Sequence, residues 1–91
     1  MSGSEQQVRL AARLYEMRDT AKRFSGDRWP KTFATFGGYV QAAMKKWNLD
    51  TIPAAMRLVG ELQKNAPGSE MTQMYLVAAA VELIEPEKTK S

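Results

Sequence analysis

The chain has 91 residues, of which 44% are hydrophobic and 25% are charged, the composition of an ordinary globular domain. It contains neither cysteine nor histidine. This excludes disulfides, thiolate or imidazole metal sites, and the residues of the usual catalytic triads. The formal net charge of +3 is unevenly spread: residues 1–48 carry nine Lys/Arg against four Asp/Glu, whereas residues 49–91 carry four against six.

The first predicted helix covers about residues 5–24, with Ser4 as its N-cap. Its apolar residues recur at spacings of three and four, which is one stripe of a helix. The stripe consists of Leu10, Leu14, Met17, Ala21 and Phe24. Gly26 is suited to the left-handed conformation that ends a helix, and Pro30 disfavours helical angles at Trp29. We therefore expect a non-helical segment from residue 25 to Thr32.

The second predicted helix covers about residues 33–47, and its stripe consists of Phe33, Phe36, Val40, Met44 and Trp47. The glycine pair 37–38 inside this pattern leaves two alternatives: the helix begins after the pair, or Gly37 lets another backbone come close. Asp50 is an N-cap for a third helix at about 51–64, in which Met56 is one of the expected core residues. The breaker at 65–68 ends this helix.

The fourth predicted helix, about 70–85, is capped by Ser69 and ended by Pro86. Its stretch 74–84 is apolar except for Glu82. Such a helix packs against neighbours on several sides, and it is too short for the roughly 20 apolar residues that cross a bilayer. We expect a narrow strip to face solvent, formed by Thr72, Tyr75, Ala79 and Glu82. The alternative for Glu82 is a buried carboxylate that pairs with an arginine of the first helix or of a partner.

These patterns predict an all-α fold: a single domain, 1–91, that is a compact bundle of about four short helices with a largely apolar C-terminal helix. Residues 1–4 and 86–91 are expected to be flexible ends. No signal-peptide pattern is present in the first twenty residues. The expected location is cytoplasmic, without membrane contact.

The best candidate binding segment is 18–31, where basic and aromatic side chains alternate around a helix end. Arginine and tryptophan dominate the energetics of many protein interfaces. The predicted partner-binding residues, with Trp29 as anchor, are Arg18, Lys22, Arg23, Arg28, Trp29 and Lys31. One alternative stays open: the aromatic rings belong to the core, and solvated cations border it.

The functional prediction is a non-enzymatic protein–protein interaction module, a small accessory or inhibitor-type protein that binds a larger partner and needs no metal or cofactor. Self-association as a homodimer through the 70–85 helix is a further expectation, because that helix is so apolar. The alternative function is nucleic-acid binding. Its predicted residues are Lys22, Arg23, Arg28, Lys31, Lys45 and Lys46. A helix-turn-helix over 40–57 is disfavoured, because residues 51–55 offer almost no polar side chains to base edges.

Overall fold

A computed structural model describes the backbone of residues 2–86 and the side chains of residues 12–86. It contains four α-helices and one 3₁₀ turn. The helices are α1, Ser2–Ser25; α2, Trp29–Trp47; α3, Thr51–Asn65; and α4, Glu70–Ile84, and the 3₁₀ turn is Gly26–Arg28. Residues 2–86 contain no strand, so the all-α prediction is confirmed. The predicted flexible end beyond Pro86 lies outside the described residues, as does Met1.

Helix α4 lies at the centre of the bundle, and α1, α2 and α3 all pack against it. Its residues 76–81 are all buried, each with at most 4% of its surface exposed. The larger core cluster joins this stretch to Val40 of α2 and to Ala55 and Val59 of α3. A helix that is apolar nearly all round is stable in water only when it is surrounded in this way.

The expected solvent-facing strip of α4 is wrong at two positions. Ala79 has 0% of its surface exposed, and the side chain of Glu82 has only 13% exposed. Three neighbouring helices leave the middle of α4 without an open side, so its exposed large apolar residues are Met71 and Ile84, one near each end. The apolar surface that motivated self-association is thus covered within the chain, and dimerisation through α4 stays a prediction.

The predicted non-helical segment before residue 33 is also wrong, because α2 already begins at Trp29. Trp29 has helical angles, φ −53° and ψ −43°, although it precedes a proline. Pro30 lies in the first turn, where its missing N–H costs no intrahelical hydrogen bond. The chain direction changes at Gly26, whose φ of +57° is in the left-handed region. At the other end of the first helix, α1 begins at Ser2, two residues before the expected cap Ser4.

Neither alternative for the glycine pair applies. Helix α2 runs through both glycines. The three atoms nearest to a Cβ placed on Gly37 all belong to the ring of Phe33, at 3.4–3.9 Å, and a Cβ on Gly38 would have no neighbour within 4 Å. The two glycines therefore lower the helix propensity of α2 without making room for a neighbouring backbone.

Two residues predicted to lie in the core are exposed: Phe24 to 67% and Met56 to 49%. The position beside Ala21 that Phe24 would occupy is filled by Trp29, which packs there against Ala21 and Ala78. Met56 lies on the side of α3 that faces α1, and within the described residues these two helices do not pack against each other.

Candidate functional site

Four exposed residues fall within positions 23–31, at the junction of α1, the 3₁₀ turn and α2: Arg23, Phe24, Arg28 and Lys31. We call this set the basic corner. Phe24 is the most exposed large hydrophobic residue among the described side chains. Asp27 is the one carboxylate in the sequence from 23 to 31, so this segment carries three cations and one anion. The corner combines an exposed aromatic ring with a net positive charge.

The Trp29 side chain lies beneath this corner and has 9% of its surface exposed. It packs against Ala21 of α1 and Ala78 of α4, and its ring stacks on Phe33 with 6.0 Å between the ring centroids. Trp29 thus occupies the core position that the sequence left open as the alternative to an exposed anchor. The exposed aromatic residue of the corner is Phe24, and Trp29 fixes the turn that presents it.

Arg18, which was predicted to contact a partner, is a buried residue with 8% exposure. Its Nη1 atom donates a hydrogen bond of 2.6 Å to the backbone carbonyl of Glu85 and lies 3.4 Å from Oε1 of Glu82. The guanidinium therefore connects α1 to the C-terminal end of α4. This is the second of the two interpretations of Glu82, an ion pair with an arginine of the first helix.

Tyr15 completes this connection from the preceding turn of α1. Its hydroxyl donates a hydrogen bond to Oε1 of Glu85, and the guanidinium of Arg18 lies 5.3 Å from the centroid of the Tyr15 ring. The hydrogen bond to Glu85 raises the pKa of the Tyr15 hydroxyl above its ordinary value of 10.0; the charge of Glu85 raises it further, and the charge of Arg18 opposes both. We call these four residues, Tyr15, Arg18, Glu82 and Glu85, the α1–α4 clasp.

The cations proposed for nucleic-acid binding fall into two groups. Arg28 and Lys31 lie at the start of α2, whereas Lys45 and Lys46 lie in its last turn. The 14 positions between Lys31 and Lys45 correspond to about 21 Å along the helix axis. Lys22 is partly buried. The cations described between residues 12 and 48 therefore do not form one continuous patch.

A groove that the sequence analysis did not predict lies between α2 and α3, with Thr72 and Leu76 of α4 as its floor. Its volume is about 440 Å³. Tyr39 lines one edge of the groove and is 56% exposed. Trp47 lines another edge, where the Arg57 guanidinium lies 4.4 Å from the centroid of its ring. We call it the α2–α3 groove. The signal that could have revealed it is a second helical stripe on α2, offset from the stripe that faces the core.

Comparisons of the chain with protein families, with characterised proteins and with solved structures give no match. Within residues 12–86, no three acidic side chains come together in a way that could hold a metal ion. None of the helices described between residues 2 and 86 is both long and apolar enough to span a membrane. The basic corner and the α2–α3 groove are therefore the candidate binding surfaces among the described residues.

Proposed function

We propose that this chain is a non-enzymatic interaction module that binds an acidic surface of a larger protein through the basic corner. The observation that carries the proposal is the 67% exposure of Phe24 between exposed cations. Burying a phenylalanine side chain of this kind in an interface contributes about 1.5–3 kcal/mol. In the isolated chain most of the Phe24 side chain stays in water, so this free energy is gained only when a partner covers it.

The charged neighbours of Phe24 support a protein partner of opposite charge. Arg23, Arg28 and Lys31 outnumber the single carboxylate Asp27. Cations around an aromatic residue raise the rate of association with an acidic surface and fix the orientation of the bound partner. Arginine is also one of the residue types enriched in interface hot spots.

The corner is also held in place before any partner binds. The buried Trp29 anchors the start of α2, and Arg18 connects α1 to the end of α4. A preorganised surface loses less conformational entropy on binding than one that must first become ordered. These two buried residues act as positioning residues for the corner.

Partner capture from an extract of the source cells tests the proposal. Phe24→Ala is compared with the wild type and with Gln41→Ala, an exposed position of α2 about 15 Å along the axis from Lys31. Both substitutions should change the free energy of unfolding by less than about 0.5 kcal/mol, because both side chains are exposed. Phe24→Ala should reduce the captured partner at least about tenfold, equivalent to 1.4 kcal/mol, and Gln41→Ala should not. Equal capture by all three proteins would refute the proposal.

Charge reversal gives a second comparison within the same experiment. Lys31→Glu changes the corner, and Arg13→Glu makes the same charge change at an exposed position of α1 outside the corner. If the partner surface is acidic, Lys31→Glu weakens capture and Arg13→Glu leaves it close to that of the wild type. Equal losses from both variants would indicate a response to net charge alone.

Nucleic-acid binding is the competing function, because two pairs of cations could contact phosphate groups that lie far apart. One pair is Arg28 of the 3₁₀ turn with Lys31 of α2, and the other is Lys45 with Lys46 in the last turn of α2. Titration with DNA and with RNA at several salt concentrations separates the two functions. Phosphate contacts give a steep, linear fall of log affinity with log salt concentration. No binding of either nucleic acid at low salt would eliminate this alternative.

A further inference from the structure

The walls of the α2–α3 groove are two helical stripes that no other helix between residues 2 and 86 covers. The α2 wall consists of Tyr39, Ala42, Ala43, Lys46 and Trp47, at positions i, i+3, i+4, i+7 and i+8 of one helix face. The α3 wall consists of Leu58, Glu61, Leu62 and Asn65, with the same spacing. Stripes with this spacing are what one helix presents to another in a packed bundle. The groove therefore has the form of an incomplete helix–helix contact.

The dimensions of the groove suit about two turns of an added helix. Positions 39–47 extend about 12 Å along α2, and positions 58–65 extend about 10 Å along α3. Over that length an amphipathic helix places apolar residues at i, i+3, i+4 and i+7 on one face. The exposed alanine of the α2 wall, Ala42, leaves room for a larger side chain from the added helix.

The charges around the groove indicate the polarity of such a helix. Three exposed charged residues line the groove or contact its lining: Lys46, Arg57 and Glu61. Two are cations and one is a carboxylate. Lys46 and Arg57 both lie over the ring of Trp47, 5.6 and 4.4 Å from its centroid, where cation–π contacts help to order this wall. An acidic flank on the added helix complements this rim, whereas a basic flank is repelled by it.

We propose that the α2–α3 groove binds an amphipathic α-helix with an acidic flank, contributed by a protein partner. The apolar face of that helix packs over Ala42, Leu62 and Leu76, and its acidic residues face Lys46 and its neighbours. This site is separate from the basic corner, which lies at the opposite end of α2. Either site can fail its test without affecting the other.

The test uses a fluorescein-labelled peptide of about 18 residues, long enough to form a helix. Leucines occupy positions i, i+3, i+4 and i+7, and glutamates occupy the flanks. Fluorescence anisotropy measures its affinity for the full chain. The same leucine face with lysine flanks tests the charge preference, and a scrambled acidic peptide tests the helical pattern. The acidic amphipathic peptide should bind, and the other two should bind at least about tenfold more weakly.

Variants locate the site. Ala42→Trp fills the groove from an exposed position and should abolish binding, whereas Gln41→Trp places the same side chain on the neighbouring exposed position outside the lining. Lys46→Glu should weaken binding of the acidic peptide roughly tenfold, and Arg13→Glu, the same charge change at an exposed position of α1 outside both candidate surfaces, should not. Circular dichroism establishes that each variant is folded.

Three outcomes would overturn the proposal. Unchanged affinity of Ala42→Trp would place the peptide elsewhere on the chain. Equal or tighter binding of the lysine-flanked peptide would contradict the charge argument. Binding of a small amphiphile such as dodecanoate, with no binding of the acidic peptide, would assign the groove to an apolar ligand instead of a helix.

Discussion

Replacement of Arg18 by alanine tests the α1–α4 clasp, and we expect it to be strongly destabilising. Arg18 is 8% exposed, lies 3.4 Å from Glu82 and hydrogen-bonds to the Glu85 carbonyl at 2.6 Å. The substitution leaves the carboxylate of Glu82, which is only 13% exposed, without this cation. It also removes the donor to the Glu85 carbonyl.

The magnitude follows from these contacts. Removing one partner of a buried ion pair costs about 3–5 kcal/mol. The value for this chain should lie near the lower limit, because the 3.4 Å separation is long and both side chains keep some contact with solvent. The buried Nε of Arg18 has no hydrogen-bond partner among the described residues, which lowers the net gain that the wild type draws from the arginine. We therefore expect Arg18→Ala to lower the free energy of unfolding by about 2–3 kcal/mol. In a domain of this size that is roughly a 10–20 °C decrease in Tm.

Urea denaturation followed by circular dichroism measures this loss, and a double-mutant cycle assigns it. Arg18→Ala, Glu82→Gln and the double variant are compared with the wild type. If the two side chains interact as described, the double variant loses less stability than the sum of the single losses, by at least about 0.5 kcal/mol. A loss below about 0.5 kcal/mol for Arg18→Ala, together with additive single effects, would refute the clasp. Arg18 would then be as available to a partner as the sequence suggested.

Four further substitutions test the buried tryptophan, two glycines and the tyrosine of the clasp. Trp29→Ala should cost about 3–5 kcal/mol of stability, measured by urea denaturation, because the ring is buried between α1 and α4; a loss under about 1 kcal/mol would contradict a core position. Gly38→Ala should raise stability by about 0.5–1 kcal/mol, because α2 is helical there and an added Cβ meets no atom within 4 Å. Gly26→Ala, at φ +57°, should instead lower it by about 1 kcal/mol; the same sign for both changes would contradict the backbone assignment. The raised pKa of Tyr15 means that its hydrogen bond to Glu85 stabilises the fold below pH 10.0 and is lost as the pH rises through the folded-state pKa. The stability advantage of the wild type over Tyr15→Phe, measured by denaturation between about pH 8 and 11, should therefore shrink at alkaline pH, and a constant difference would exclude this linkage.

The helices could be predicted well where strong local signals mark their ends. The predicted bounds of α3 and α4 differ from the observed ones by a single residue at the C-terminal end. Asp50 and Ser69 occupy the expected N-cap positions, although neither side chain makes a capping hydrogen bond in the described structure. Ser69 donates instead to the Ala66 carbonyl at 2.6 Å. Asp50 and Ser69 therefore mark the starts of α3 and α4 correctly, even though neither makes the capping hydrogen bond that usually explains this preference.

The start of α2 could not be predicted from local rules, because two of them conflict. Pro30 disfavours helical angles at Trp29 but is well suited to the first turn of a helix. The burial of the Trp29 ring against Ala21 and Ala78 favours the helical alternative. That contact joins residues distant in sequence, so no pattern within α2 could reveal it.

The candidate surfaces were only partly predictable for the same reason. Helical periodicity placed Glu82 on one face of α4, but only the packing of α1 brings Arg18 to it. Periodicity also grouped Phe24 with the core stripe of α1, whereas Trp29 occupies that place in the fold. The α2–α3 groove requires two helices side by side, and neither sequence segment identifies its neighbour.

Site-specific photo-cross-linking at position 24 tests the central claim most directly. A benzophenone amino acid replaces Phe24 in one protein and the exposed Gln41 in a control, and both are irradiated in an extract of the source cells. The proposal predicts a discrete protein adduct from position 24 that is lost when Lys31→Glu is added, and no such adduct from position 41. Adducts of equal yield at both positions, or adducts at position 24 that disappear on nuclease treatment, would contradict it.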